Sequence, residues 1–175
     1  MTMKNSPQRN RRSIRLKGYD YSQAGAYFVT ICAQNRECLF GEIADGQMVL
    51  NDAGEIIAEE WMKSGEIRDE IELDEWVVMP NHLHAIVMIR RGDRPVAPTS
   101  PGPHPKSIGA LLAGFKSAAT KRINKTRKTP GAKIWQRNYH EHIIRNENEL
   151  NRIREYIVNN LMNWEFDREN PDVSI

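Results

Sequence analysis

The run Val77-Val78-Met79-Pro80-Asn81-His82-Leu83-His84-Ala85-Ile86-Val87 decides the fold of this chain. Leu73 to Met79, with Trp76, Val77 and Val78, reads as one strand, and His82 to Arg90 reads as the next. Pro80 and Asn81 punctuate them. Side chains alternate along a strand, so His82 and His84 share a face. Leu83, Ala85 and Val87 share the other face and pack under helices. Two imidazoles one strand step apart can chelate a single divalent ion. Two hydrogen-bonded structural histidines meet the same pattern, and a bare His-x-His does not separate the readings. Two imidazoles in an otherwise apolar strand are costly unless something satisfies them.

Upstream, Ala26 to Ala33 is rich in β-branched and aromatic residues and reads as a buried strand. Cys38 to Ile43 and Gln47 to Leu50 read as short strands. Asp52 is read as the N-cap of a helix, with Glu55 completing a capping box. Ala53, Ile56, Ile57 and Trp61 then recur at helical spacing. Downstream, residues 91 to 106 (RGDRPVAPTSPGPHPK) hold too much Pro and Gly for a helix or central strand, and read as a mobile loop. Ser107 to Ile123 is an amphipathic helix with Ile108, Leu111, Leu112, Phe115, Ala119 and Ile123 on one face. Residues 124 to 133 read as a basic loop, Tyr139 to Ile144 as a strand, and Asn146 to Asn160 as a helix whose apolar stripe is Leu150, Ile153, Ile157 and Leu161. Residues 1 to 18 read as a flexible basic arm and 165 to 175 as a tail. Strands and helices interleave without regular alternation, which predicts an α+β sandwich with helices on a small sheet, one domain over 1–175.

The composition of the 175 residues agrees with a single domain: 39% are hydrophobic and 27% charged. No run of eighteen apolar residues exists, so no membrane span is expected. No apolar segment follows the basic start, so no secretory signal is expected. Cys32 and Cys38 make no disulfide framework, which points to the reducing cytoplasm. The net charge of +2 is unevenly spread. Lys4, Arg9, Arg11, Arg12, Arg15 and Lys17 crowd the start without an acid among them, and Lys116, Lys121, Arg122 and Lys125 belong to a second acid-free block. Two basic clusters suit a polyanion partner, or equally a solvated helix face with a disordered tail.

Two further constellations carry chemistry. Tyr139-His140-Glu141-His142 offers a second histidine pair, as ligands, as DNA contacts or as a hydrogen-bonded edge strand. On the last helix Tyr156 and Asn160 are i, i+4 neighbours, and Glu149 points in nearly the same direction as Tyr156. Tyrosine, with a pKa of about 10, is a poor nucleophile unless activated. Spacing alone favours Tyr156 as a rim tyrosine packing by its ring.

Taken together these segments resemble the REP-associated tyrosine transposases, relatives of the single-tyrosine HUH transposases. The resemblance spans roughly Arg11 to Trp164. It rests on Arg11-Arg12-Ser13-Ile14-Arg15 with Gly18-Tyr19-Asp20-Tyr21, on Val77 to Val87, on Trp135 to His142, and on Arg154-Glu155-Tyr156-Ile157-Val158-Asn159-Asn160. It implies a ferredoxin-like antiparallel sheet with helices on one face. It implies that His82-Leu83-His84 is the HUH motif, that Tyr156 is the nucleophile and that Asn160 is the third metal ligand. The family usually has proline after this Asn, where Leu161 stands here. The implied activity is metal-dependent cleavage and rejoining of single-stranded DNA at REP-type hairpins through a 5′-phosphotyrosine, with Mg²⁺ or Mn²⁺ as cofactor. Imidazole ligands make Mn²⁺ at least as suitable as Mg²⁺. Arg11, Arg12 and Arg15 are expected to read DNA next to the hairpin, and Lys116, Lys121 and Arg122 to hold its stem. His140, His142 and Glu149 are expected in support. A monomer is favoured over a dimer. The competing readings are a hairpin-binding protein with a relic active site, and a hydrolase that uses water.

Overall fold

A computed structural model describes residues 24–90 and 106–173. Strand β1 is Gly25–Cys32, followed by a hairpin of β2 (Gly41–Ala44) and β3 (Gln47–Leu50). Helix α1 is Asp52–Glu66, and β4 (Ile71–Val78) and β5 (His82–Ile89) follow. Then come α2 (Ile108–Arg127), β6 (His140–Ile144), α3 (Glu147–Val158) and a 3-10 helix, Leu161–Phe166. The main sheet has the order β4-β5-β1-β6, and every neighbouring pair is antiparallel. Two split β-α-β units, β1-α1-β4 and β5-α2-β6, therefore interlock, which is the ferredoxin-like arrangement. Among the described residues no helix is long and apolar enough to cross a membrane.

The alternation read in the sequence builds the larger core. Tyr27, Val29 and Ile31 of β1 and Leu83, Ala85 and Val87 of β5 face α1 and α2, meeting Ile57, Trp61, Leu112 and Phe115. Each such large apolar side chain stabilises by roughly 1.5–3 kcal/mol when fully buried. Helix α1 presses close enough that a Cβ on Gly54 would collide with the Phe40 carbonyl. The other face of the sheet carries a smaller cluster of Ile86, Ile144, Leu150 and Ile157.

That second cluster amends the expectation of helices on one face: α1 and α2 lie there, but α3 packs on the opposite face. The reason is the apolar stripe of α3, which needs cover, and the even-numbered residues of β1 and β5, which Phe28 and Ile86 make partly apolar. Helix α1 is capped one residue earlier than expected. Asn51 has extended backbone and its Oδ1 accepts from the Ala53 and Gly54 N–H groups at 3.0 and 3.1 Å. Asp52 is freed to pair with Arg127 at 2.8 Å. Helix α2 runs past Ile123 to Arg127, taking in part of the expected loop, and stops at Lys128 with φ 55°. Residues 165–173 are not a free tail, since the chain turns back and buries Asp167 and Asn170. The N-terminal arm with Arg11, Arg12 and Arg15, and residues 91–105 of the Pro-rich segment, lie outside the described residues.

Candidate active site and metal centre

Strand register brings the polar groups together. His84 of β5 lies opposite Thr30 of β1, and Thr30 lies opposite His140 of β6, so the three form one row across the sheet. His82 lies opposite Cys32 on the same face. Both site histidines are buried, as are Asn81, Asn160 and Asp167.

Asn81 sets the tautomer of His82. Its amide nitrogen donates to the carbonyls of Arg36 (2.9 Å) and Glu169 (2.6 Å). Its oxygen, 2.8 Å from His82 Nδ1, must therefore accept, so Nδ1 carries the proton and Nε2 is bare. His84 Nδ1 is likewise engaged, at 2.8 Å from the Thr30 hydroxyl, which turns Nε2 into the site. Burial pushes both imidazoles down to about 3, with the neighbouring His82 adding to the effect at His84. Both are neutral at pH 7, the state in which histidine binds metals.

Around these nitrogens stand acceptors without donors. His82 Nε2, Asn160 Oδ1 and Asp167 Oδ2 are buried with no hydrogen-bond partner. His82 Nε2 and Asp167 Oδ2 are 3.7 Å apart. Ligand atoms of His82, His84 and Asp167 all lie within 4.8 Å of one another. Buried lone pairs converging without hydrogens are costly, and a cation removes that cost. Two imidazole nitrogens with carboxylate and amide oxygens suit a divalent transition ion such as Mn²⁺.

Tyr156 stands at the edge of this cluster. Its hydroxyl is 3.3 Å from His84 Nε2. Its ring meets Phe28 edge-on at 6.1 Å between centroids, and it is 45% exposed. Burial and the Asp167 charge raise its pKa, while the Asn160 amide pulls the other way. A cleft of about 650 Å³ opens beside it, lined by Phe28, His84, His140, Asn163 and Phe166 among others. The site thus combines an accessible phenol, a cation-ready cluster and room for a nucleotide-sized group.

Comparison with known proteins places this geometry. No family model matches the chain. An uncharacterised protein of Haemophilus influenzae is 40% identical over an alignment of 183 residues, covering 96% of this chain and 98% of that one. The chain belongs to the same family as that protein. A solved structure of a REP-associated tyrosine transposase bound to a REP hairpin superposes with a TM-score of 0.62 at 20% identity, over 89% of this chain and 77% of that one. This chain has the REP-associated tyrosine transposase fold.

Within the transposase fold, the residues expected at the site divide into two groups. His82, His84, Tyr156 and Asn160 come together, and His140 joins the cleft wall. His142 and Glu149 do not. They bond each other at 2.7 Å, and the second Glu149 oxygen accepts from the Arg145 N–H at 2.7 Å. Glu149 shares a helix direction with Tyr156 but sits about 10 Å along the axis, because each residue rises 1.5 Å. Helix α2 packs on the other face of the sheet, and none of its three cations lines the cleft, although Lys116 reaches the backbone of Gln136, which does. The Lys116 ammonium donates to the Gln136 carbonyl at 2.9 Å, and burial pushes its pKa down to about 8. Arg122 is held by Glu59 at 2.6 Å and Glu60 at 2.8 Å. Lys121 is exposed.

Sequence reading missed Asp167, Asn81 and Thr30. A signal for the first does exist. Asp167 Oδ1 accepts from the Glu169 N–H at 2.8 Å, and the Asn170 side chain donates to the Trp164 carbonyl at 3.0 Å. Asp and Asn three residues apart are turn-formers by such bonds, so Asp167 and Asn170 marked a fold-back and not a tail.

Proposed function

We propose that this protein is a metal-dependent, transposase-like enzyme that cuts and rejoins single-stranded DNA at hairpins, with Tyr156 as nucleophile. The observation that carries the reading is the Tyr156 hydroxyl at 3.3 Å from His84 Nε2, on the rim of the buried acceptor cluster. His82, His84, Asn160 and Asp167 would hold the cation, and it would supply positive charge beside the phosphate undergoing attack. The Tyr156 oxygen bonds to phosphorus, the bond from phosphorus to the 3′ oxygen breaks, and the phenolic proton leaves to water through the open side of the cleft. The departing strand takes up a proton as a 3′-hydroxyl. The 5′-phosphotyrosine keeps the phosphodiester energy, so another 3′-hydroxyl can reverse the step without a nucleotide cofactor.

The chain's own residues do the rest. Asn81 and Thr30 fix the imidazole orientations, as outer partners do in metal centres. Phe28 buttresses the Tyr156 ring. Arg11, Arg12 and Arg15 supply phosphate and base contacts beside the hairpin. Mn²⁺ supports the reaction at least as well as Mg²⁺. The enzyme acts as a monomer in the cytoplasm, where such DNA lies.

The test is incubation of a labelled hairpin oligonucleotide, carrying a single-stranded flank, with Mn²⁺ or Mg²⁺. A covalent protein–DNA adduct that vanishes in Tyr156→Phe is expected. Binding without cutting by the unaltered protein identifies a hairpin-binding protein instead. Cutting by Tyr156→Phe without an adduct identifies a water-using hydrolase.

A further inference from the structure

Helix α3 carries Tyr156; a narrow apolar stripe packs it on the sheet, and Glu149 ties its first turn to His142 of β6 at 2.7 Å. Leu150 and Ile157 are its buried residues, with Ile153 packed beside them. At about 100° per residue, the middle of that stripe falls between Ile153 and Ile157. Arg154 then stands about 80° to one side of it and Tyr156 about 80° to the other. The two side chains leave opposite flanks of the helix, and any roll of α3 about its axis lifts one flank as it lowers the other.

Each flank meets a different strand. Tyr156 reaches inward over Phe28 of β1 and His84 of β5. Arg154 reaches outward to β4. Its Nε donates to Asp74 Oδ1 at 2.8 Å and its Nη2 to Asp74 Oδ2 at 2.6 Å, a two-pronged fork that fixes direction as well as distance. Nη1 of the same guanidinium donates to Asn151 Oδ1 at 3.1 Å, one turn back on α3. The pair is partly exposed, the Arg154 side chain at 33% and the Asp74 side chain at 15%. The Arg154 guanidinium also holds the Asp74 carboxyl below the usual carboxylate range.

A defect in β4 puts Asp74 where Arg154 can reach it. The ladder with β5 shifts between Leu73 and Trp76. Before the shift Ile71 and Leu73 face the α1/α2 core; after it Trp76 and Val78 do, and Val77 faces α3. In an unbroken strand Asp74 and Trp76 would share a face. The bulge lets Trp76 enter the core while Asp74 points to α3, a re-aiming that bulges beside functional sites commonly perform.

We infer that the Arg154–Asp74 fork is a positioning clamp that fixes the roll of α3 and thereby holds the Tyr156 hydroxyl over the histidine pair. The inference rests on the function proposed above and adds residues to it that touch neither metal nor DNA. Ion pairs near the surface contribute little to global stability, so the clamp acts on geometry: a misplacement of about 1 Å can lower a rate by about a hundredfold.

The test uses the full-length protein with Mn²⁺ and the hairpin oligonucleotide. Asp74→Asn keeps shape and loses the charged fork. The expected result is adduct formation slowed by tenfold or more, with Kd for the oligonucleotide and Tm close to those of the unaltered protein. The exchanged pair Asp74→Arg with Arg154→Asp is expected to recover part of the rate. Adduct formation by Asp74→Asn at the unaltered rate overturns the clamp, and so does a slowing matched by an equal loss of binding. A crystal structure of Asp74→Asn judges the clamp independently of activity: the Tyr156 hydroxyl should move away from His84 Nε2, and an unmoved phenol overturns it. If the unaltered protein forms no adduct, the proposed function fails, while the structural comparison still decides the clamp.

Discussion

The two faces of one sheet obey different rules in this protein. On the α1/α2 face, Leu83, Ala85 and Val87 of β5 vanish into a continuous apolar core. On the α3 face, one residue out of step, the same strand presents His82 and His84 to bare acceptors of Asn160 and Asp167. One face minimises the free energy of the fold, and the other leaves it unminimised where a cation and a phosphate would complete it. Strand alternation lets both coexist, since a single strand step separates a core residue such as Leu83 from a histidine that faces the acceptor cluster.

Tyr156→Phe should break the comparison most sharply. The hydroxyl stands on the cleft rim, 3.3 Å from His84 Nε2 and beside the Asn160 amide, so Tm should change little. Adduct formation should fall by on the order of 10³-fold or more, because the nucleophile itself is gone. Retained adduct formation would move the nucleophile elsewhere. The mirror experiment is Leu83→Ala, which should lower stability by about 2–5 kcal/mol in denaturant titrations. The folded fraction should still bind Mn²⁺ and form adduct, and if metal binding is lost with Leu83 the faces are not separable.

Metal ligation gives the next effect. His82→Ala and His84→Ala should abolish cutting while leaving hairpin binding largely intact. Asp167→Asn should weaken Mn²⁺ in calorimetric titration by at least the ~10–100-fold that loss of an outer partner costs. An unchanged Mn²⁺ affinity would leave Asn160 as the oxygen ligand and return Asp167 to a turn.

Acid should distinguish the faces as well. Unfolded histidine takes up a proton near 6.5, but buried His82 and His84 do so only at about 3. Between those values the unfolded state binds more protons, so stability of the metal-free protein falls as pH falls. Each histidine should contribute about 1.4 kcal/mol per pH unit across that window. Thermal unfolding from pH 7 to 4, with and without Mn²⁺, measures this, and a flat profile would mean that the imidazoles are solvated.

How far the sequence could be read follows the same division. β-branched and aromatic enrichment announced β1, strand alternation announced the shared face of the histidines on β5, and helical spacing announced α1, α2 and α3. Features set by contacts between distant segments were not announced. Asp167 reaches His82 from 85 positions further along the chain, through a 3-10 turn whose only local trace is the Asp167 and Asn170 turn bonding. The side of the sheet that α3 covers depends on which face the first two helices have already taken. The bulge in β4 shows locally only as a phase change, with Ile71 and Leu73 before it and Trp76 and Val78 after it on the core face. Local chemistry is written locally, while the completion of a site depends on the topology that gathers it.

The smallest predicted effect concerns the cations on the packed side. A phosphate contact needs a cation that is free to meet it, and each contact contributes about one unit to the slope of log affinity against log salt. Arg122 already lies between two glutamates, and Lys116 is half-sunk against backbone carbonyls. Replacing either with alanine should therefore change hairpin affinity less than twofold, with the salt slope unaltered. Lys121, which is exposed, is the one of these three α2 cations able to give a small slope change. Removal of residues 1–17 should lower affinity and slope together. A tenfold loss on Arg122→Ala would place the hairpin stem against α2, on the side of the sheet that the comparison assigns to stability alone.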